Sequence, residues 1–112
     1  MKLIICGGRN FANRQVFNLM TARWVEAHGL PSEVVSGGAS GADRMGEAWA
    51  VSQGIPVKQF PADWGKHGRA AGPIRNVQMS LYADACLVLP GGRGTAHMEQ
   101  AARRRGLIVL KP

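Results

Sequence analysis

The sequence is poor in acid, in cysteine and in aromatics, and it has no long apolar run. Seven Asp and Glu stand against 14 Lys and Arg, a formal net charge of +7 over 112 residues. That balance favours anionic partners such as nucleotides, nucleic acid or an acidic surface. No stretch approaches the roughly 20 apolar residues of a membrane span. Leu3-Ile4-Ile5-Cys6 is too short for the apolar region of a secretory leader, so a cytoplasmic location is expected. The two cysteines fit that compartment. Cys6 ends one expected strand and Cys86 lies near the start of another; an offset of about three residues, roughly 10 Å, puts them beyond disulfide reach. His28, His67 and His97 are far apart and show no ligand spacing, so no metal is expected.

Several nucleotide and hydrolase signatures are missing as well. There is no G-x-G-x-x-G, and the second strand ends in Ser36-Gly37 where a dinucleotide site needs an acid, so a standard NAD-dependent dehydrogenase is excluded. Without G-x-x-x-x-G-K-[ST] the chain is not a P-loop NTPase. No nucleophile elbow or Ser-His-Asp order can be traced.

What is present is a repeated pattern of apolar strand, glycines and helix start. Ala85 to Leu89 runs into Pro90-Gly91-Gly92-Arg93-Gly94-Thr95 and then an amphipathic stretch, Ala96 to Arg105. Glycines let a backbone approach a ligand, and the first helical N–H groups are unpaired, so such a junction suits an anion. Thr95 is the expected N-cap of that helix. Leu3 to Cys6 leads likewise into Gly7-Gly8-Arg9-Asn10-Phe11 and a helix from Asn13 to Ala27. Glu33 to Ser36 leads into Gly37-Gly38-Ala39-Ser40-Gly41-Ala42-Asp43 and a second helix with Met45, Ala48, Trp49 and Ser52 on its inner face. Ile55 to Phe60 reads as an edge strand. Residues 61 to 73 form the longest irregular segment, with Trp64, Lys66, His67 and Arg69 open to two readings: a surface excursion, or a base- and phosphate-contacting loop. Pro73 is expected to start a third helix with Ile74, Val77 and Leu81 as its apolar stripe and Arg75 in its first turn. Leu107 to Leu110 is the last strand. Arg103-Arg104-Arg105 closes a helix, where the dipole favours positive charge.

Alternating strands and helices imply a single α/β domain over residues 1–112, with a five-stranded parallel sheet in the order 3-2-1-4-5 and helices on both faces. Ligands in such sheets bind at the carboxyl ends of the strands, where the order reverses, and all three Gly-rich loops emerge there.

Ser36 to Asp43, Phe60 to Trp64, His67 to Asn76 and Tyr82-Ala83-Asp84, with Gly7 to Phe11, resemble the YspA-type branch of the SLOG superfamily over nearly the whole chain. The resemblance implies a small Rossmann-like protein, of a kind often encoded by phages or mobile elements, that binds a nucleotide or nucleotide-derived signal. The wider superfamily includes the Lonely Guy phosphoribohydrolases, with the motif PGGxGTxxE and an Arg in a preceding helix. Pro90 to Thr95 is similar to the first part and Arg75 to the Arg. The Glu position is Met98 here; Glu99 follows, turned about 100° around the helix.

Three functions follow as expectations. The first is a nucleotide-binding module, in which Gly7, Gly8, Gly37, Gly38, Gly41, Gly91, Gly92 and Gly94 give backbone approach. Ser36, Ser40 and Thr95 would donate hydroxyls, Arg9, Arg75 and Arg69 would meet phosphate, and Asn10 and Pro90 would lie in the same loops. Asp43 would accept from a ribose hydroxyl or cap its helix. The second is an enzyme cleaving the N-glycosidic bond of a nucleoside monophosphate with Arg75 and Glu99 or Asp43. The third is a nucleic-acid binder, suggested by the charge and by a DNA-processing relative in the superfamily, although no separate basic helix is visible. The fully apolar last strand, left at the sheet edge, implies a homodimer.

Overall fold

A computed structural model describes all residues, 1–112. Its sheet has five parallel strands in the order 3-2-1-4-5: β1 Lys2–Cys6, β2 Glu33–Ser36, β3 Val57–Gln59, β4 Ala85–Val88 and β5 Ile108–Leu110. The helices are α1 Arg14–His28, α2 Ala42–Ser52, a short α3 Trp64–His67, α4 Ala71–Tyr82 and α5 Arg93–Arg104. This is the expected architecture. No helix is long and apolar enough to cross a membrane.

Strand alternation divides the core in two. Leu3, Ile5, Val34 and Leu87 point to the face that packs Phe17, Met20 and Trp24 of α1 and Ala42 and Ala50 of α2. Ile4, Cys6, Val35, Cys86 and Val88 point to the other, against Met79 of α4 and Met98, Ala101 and Ala102 of α5. Central strands buried on both faces in this way explain the unbroken apolar runs.

Four local expectations are corrected. The segment 61–73 is mostly helical: Asp63 caps α3, its carboxylate accepting from Lys66 N at 3.0 Å, a 3₁₀ turn spans Gly68–Ala70, and α4 begins at Ala71 with Pro73 inside its first turn. Pro needs no hydrogen-bond donor there, so it is as compatible as at the first position. The inner stripe of α4 is Asn76, Met79 and Ser80 rather than Val77 and Leu81, which are exposed. The inner face of α2 is centred on Ala42, Asp43, Gly46 and Ala50; Met45 and Trp49 pack against the same core, partly buried as expected, while Ala48 and Ser52 face out. Small residues win there because the helix lies close on β1. Finally, Ile4 pairs with Cys86 and Cys6 with Val88, so the cysteines are offset by two residues, not three. The pleat places them on one face with sulfurs 3.8 Å apart, as free buried thiols. The mutual hydrogen bond, then burial, holds the Cys6 pKa well above the usual thiol range.

Gly46 offers a direct test of that close packing. A Cβ there would lie 2.9 Å from Ile5 Cγ2 and 3.0 Å from Ile5 Cβ, atoms too near the strand to swing aside. Gly46→Ala should lower the unfolding free energy by about 1–3 kcal/mol in denaturant titration, despite the gain in helix propensity.

Candidate functional site

At the carboxyl edge of the sheet the loops after β1, β2 and β4 are stitched to one another. Gly8 N donates to Pro90 O at 2.8 Å, Gly8 O accepts from Ala42 N at 3.2 Å, and the Ser40 hydroxyl donates to Arg9 O at 3.2 Å. The approach is close enough that side chains are excluded. A Cβ on Gly7 would lie 2.7 Å from Ala42 Cβ and 2.9 Å from Leu89 Cβ, and one on Gly91 would run into Gly8 N and Thr95. Gly41 (φ +73°) is held against the Gly8 and Arg9 carbonyls.

These loops, with the N-terminal halves of α4 and α5, enclose a cleft of about 590 Å³. Of the residues expected to bind ligand, it is lined by Gly7, Gly8, Arg9, Gly37, Asp43, Arg75, Gly92, Gly94 and Thr95. A smaller hollow beside it, about 240 Å³, adds Gly38 and Ser40. Asn10, Gly41, Pro90 and Gly91 shape the loops without lining either space, and Arg69 is exposed on the 3₁₀ turn. Ser36 is buried, its hydroxyl donating to Glu47 at 2.6 Å and accepting from Gly38 N, so it organises the β2 loop from beneath.

Thr95 is not the N-cap of α5. The helix begins three residues earlier, at Arg93, with Gly92 as its cap, and no side chain satisfies the first turn. The first backbone bond into the helix is Ala96 N to Gly92 O; Arg93, Gly94 and Thr95 have no backbone acceptor for their N–H groups. Thr95 lines the cleft, 9% exposed, with its hydroxyl beside Gly91.

Arg75 reaches across the cleft. Its Nη1 donates to Gly37 O at 2.8 Å and its Nε to Asn76 Oδ1 at 3.1 Å. Burial lowers its pKa while Asp43 opposes the change. Asp43, in the first turn of α2, accepts from Ala39 N at 3.2 Å rather than capping its own helix. It is the only carboxylate lining the cleft. Burial pushes its pKa up to about 6, with the Ala39 N–H and Arg75 pulling the other way. Glu99 lies elsewhere. It is held by Arg103 at 3.0 Å and Lys111 at 3.1 Å, which keep its pKa low, and it takes no part in the cleft. Met98 is buried in the cleft floor.

The structure also brings in residues that sequence reasoning had not selected. Asn76 is buried, donating to Gly94 O at 3.2 Å and meeting His97 Nδ1 at 3.2 Å; His97, Met79, Gly72 and Pro73 line the same wall. The Asn76 contacts join residues 18 and 21 positions apart, with no local spacing to reveal them. Nowhere do three or more His, Cys, Asp or Glu side chains converge as a metal site would require.

A family model described as the YspA, cpYpsA-related SLOG family matches residues 1–67. The chain belongs to this family. The match runs from β1 through α3 and so covers two of the three Gly-rich loops. The Gene 61 protein of Mycobacterium phage D29 is similar along almost the full length, 34% identical over 119 aligned positions that span 97% of this chain and 94% of that protein. Membership in the SLOG family is compatible with nucleotide-related binding.

Asp43 makes the cost of forming this cleft measurable. The native state holds a proton that the unfolded chain releases near the ordinary carboxylate range, so ionising Asp43 opposes folding. The cost is absent below about pH 4, grows as pH rises and levels off above about 6. Asp43→Asn mimics the neutral form and should raise the unfolding free energy at pH 8 by up to about 3 kcal/mol. The gain should close toward pH 4. Parallel stability curves for the two proteins from pH 4 to 8 would show that the carboxyl is not desolvated.

Proposed function

We propose that the cleft binds a nucleotide or nucleotide-derived phosphate and that the protein acts as a sensor or carrier of it. One observation carries the reading: Thr95 lines the cleft at a helix N-terminus whose first three N–H groups have no backbone acceptor. An anion would satisfy these N–H groups together. Arg9, Arg75 and Arg93 line the same space against the single acid Asp43, which suits a ligand with more than one negative charge. Family membership supports the same class of ligand.

Turnover is not part of the proposal. Cleaving an N-glycosidic bond calls for a carboxylate to stabilise the positive charge that develops on the sugar. Met98 stands where the related hydrolases carry it, and Glu99 is engaged by Arg103 and Lys111. The experiment is thermal-shift and calorimetric titration with a panel of nucleoside phosphates, followed by a base-release assay on each hit. Binding without base release is expected, and Thr95→Val should weaken it by about 1.5–3 kcal/mol while leaving the fold intact. Rapid base release, abolished by Asp43→Asn, would make the protein an enzyme. Binding to DNA with a steep salt dependence, unaffected by Thr95→Val, would make it a nucleic-acid binder.

The homodimer is proposed on the outer side of β5. This strand lies at the sheet edge with Ile108 43% exposed and Val109 and Leu110 only partly covered, surface that a second copy would shield. Light scattering should give twice the 12.0 kDa chain mass; a monomer at high micromolar concentration rules the dimer out.

A further inference from the structure

One end of the cleft differs from the rest. Between α3, α4 and α5 its wall is formed by Trp64, Gly72, Pro73, Met79 and Met98, with His97 as the polar side chain among them. Trp64 is a large aromatic left half exposed at the cleft mouth, 51% accessible. Its ring lies over the start of α4, where a Cβ on Gly72 would come within 3.4 Å of Trp64 Cη2. A flat indole, two thioether floors and no charge make a poor place for a phosphate and a good one for a planar ring.

The polar group at this end has its orientation fixed by a chain of donors and acceptors. Arg75 Nε can only donate, so the Asn76 atom 3.1 Å from it is the amide oxygen. Gly94 O can only accept, so the Asn76 atom 3.2 Å from it is the amide nitrogen. Both contacts select the same amide orientation. The second amide hydrogen is then left for His97 Nδ1, at 3.2 Å, which must accept it. The neutral imidazole therefore carries its proton on Nε2, at the far side of the ring from Asn76. Asn76 is 6% exposed, and every hydrogen-bonding atom of its side chain is used.

We propose that this end of the cleft is a nucleobase subsite, in which Trp64 supplies a stacking face and the His97 Nε2–H donates to a ring nitrogen or carbonyl oxygen of the base. Asn76 is a positioning residue that acts through His97 by setting its tautomer. The subsite rests on the nucleotide reading above and adds to it the part of the ligand that is read. Phosphate is held at the N-terminus of α5 and by the arginines; the base is selected between α4 and α5. A purely phosphate-directed site has no need of Trp64 or of a fixed imidazole donor.

The test uses the four ribonucleoside 5′-monophosphates and ribose 5-phosphate, which has the phosphate and sugar but no base. The wild-type protein should bind at least one nucleotide more tightly than ribose 5-phosphate. Trp64→Ala and His97→Ala should each weaken the tightest nucleotide on the order of 10-fold and leave ribose 5-phosphate unchanged. His97→Gln places an amide nitrogen near the site of Nε2 and should retain most of the affinity; His97→Asn should not. Nitrogen-15 spectra of the free protein should show His97 as the Nε2–H tautomer, and Asn76→Ala should release it to a mixture. If both alanine variants bind nucleotide as the wild type does, the phosphate site stands and the base subsite falls. An Nδ1–H tautomer in the free protein overturns the role of His97. If the folded wild-type protein binds neither nucleotide nor ribose 5-phosphate at millimolar concentration, the nucleotide reading fails and the subsite fails with it.

Discussion

The peptide unit of Gly8 holds the site together. Its N–H is fixed by Pro90 in the loop after β4, and its carbonyl by Ala42 at the start of α2 and by Phe11 in its own loop. Three segments distant in sequence therefore share one short stretch of backbone, and the cleft exists because they cannot separate. Backbone can make such bonds only where no side chain intervenes, which is why Gly7, Gly8, Gly41 and Gly91 cluster there. The sheet order contributes the other half of the constraint. β1 is flanked by β2 and β4, so the loops leaving these three strands diverge at the reversal and leave a gap between them.

Around that gap the protein keeps polar groups in states that do nothing for folding by themselves. Asp43 is desolvated enough to lose its ordinary acidity, and burial lowers the pKa of Arg75. Elsewhere buried hydroxyls are paired: Ser80 donates to Val77 O, Thr21 to Phe17 O, Ser36 to Glu47; Trp24 Nε1, in the core, is the one buried polar side-chain atom left without a partner. Shifted ionisable groups of this kind concentrate at sites that receive a ligand.

The strand order and the three glycine loops were legible because they depend on local pattern: apolar runs of strand length, glycines at their ends, helical periodicity after them. The misreadings share a cause. On α4, Val77 and Leu81 have the spacing of a core stripe, yet the helix turns Asn76 and Met79 inward. A helix that forms a cleft wall is oriented by what the cleft needs as well as by hydrophobicity. On α2, the small residues Ala42, Gly46 and Ala50 carry less apolar surface than Met45 and Trp49, but they permit a closer fit to β1. Thr95 looked like a cap because caps are commonly Ser or Thr. The structure instead starts the helix at Arg93 and leaves Thr95 lining the cleft. The Asn76–His97 contact and the approach of Cys6 to Cys86 depend on register and helix placement, which no local pattern records.

Arg75 illustrates how the architecture shapes the kinetics and thermodynamics of recognition before any ligand arrives. A free arginine side chain samples many rotamers, worth about 2 kcal/mol of conformational entropy, and a surface arginine surrenders that freedom at the moment of binding. Here Nε is anchored to Asn76 and Nη1 to Gly37. The ordering is therefore already complete in the folded chain, charged to folding rather than to association. A ligand bound as proposed would meet a guanidinium already in place, which would need little search on the way in and would have little freedom to regain on release.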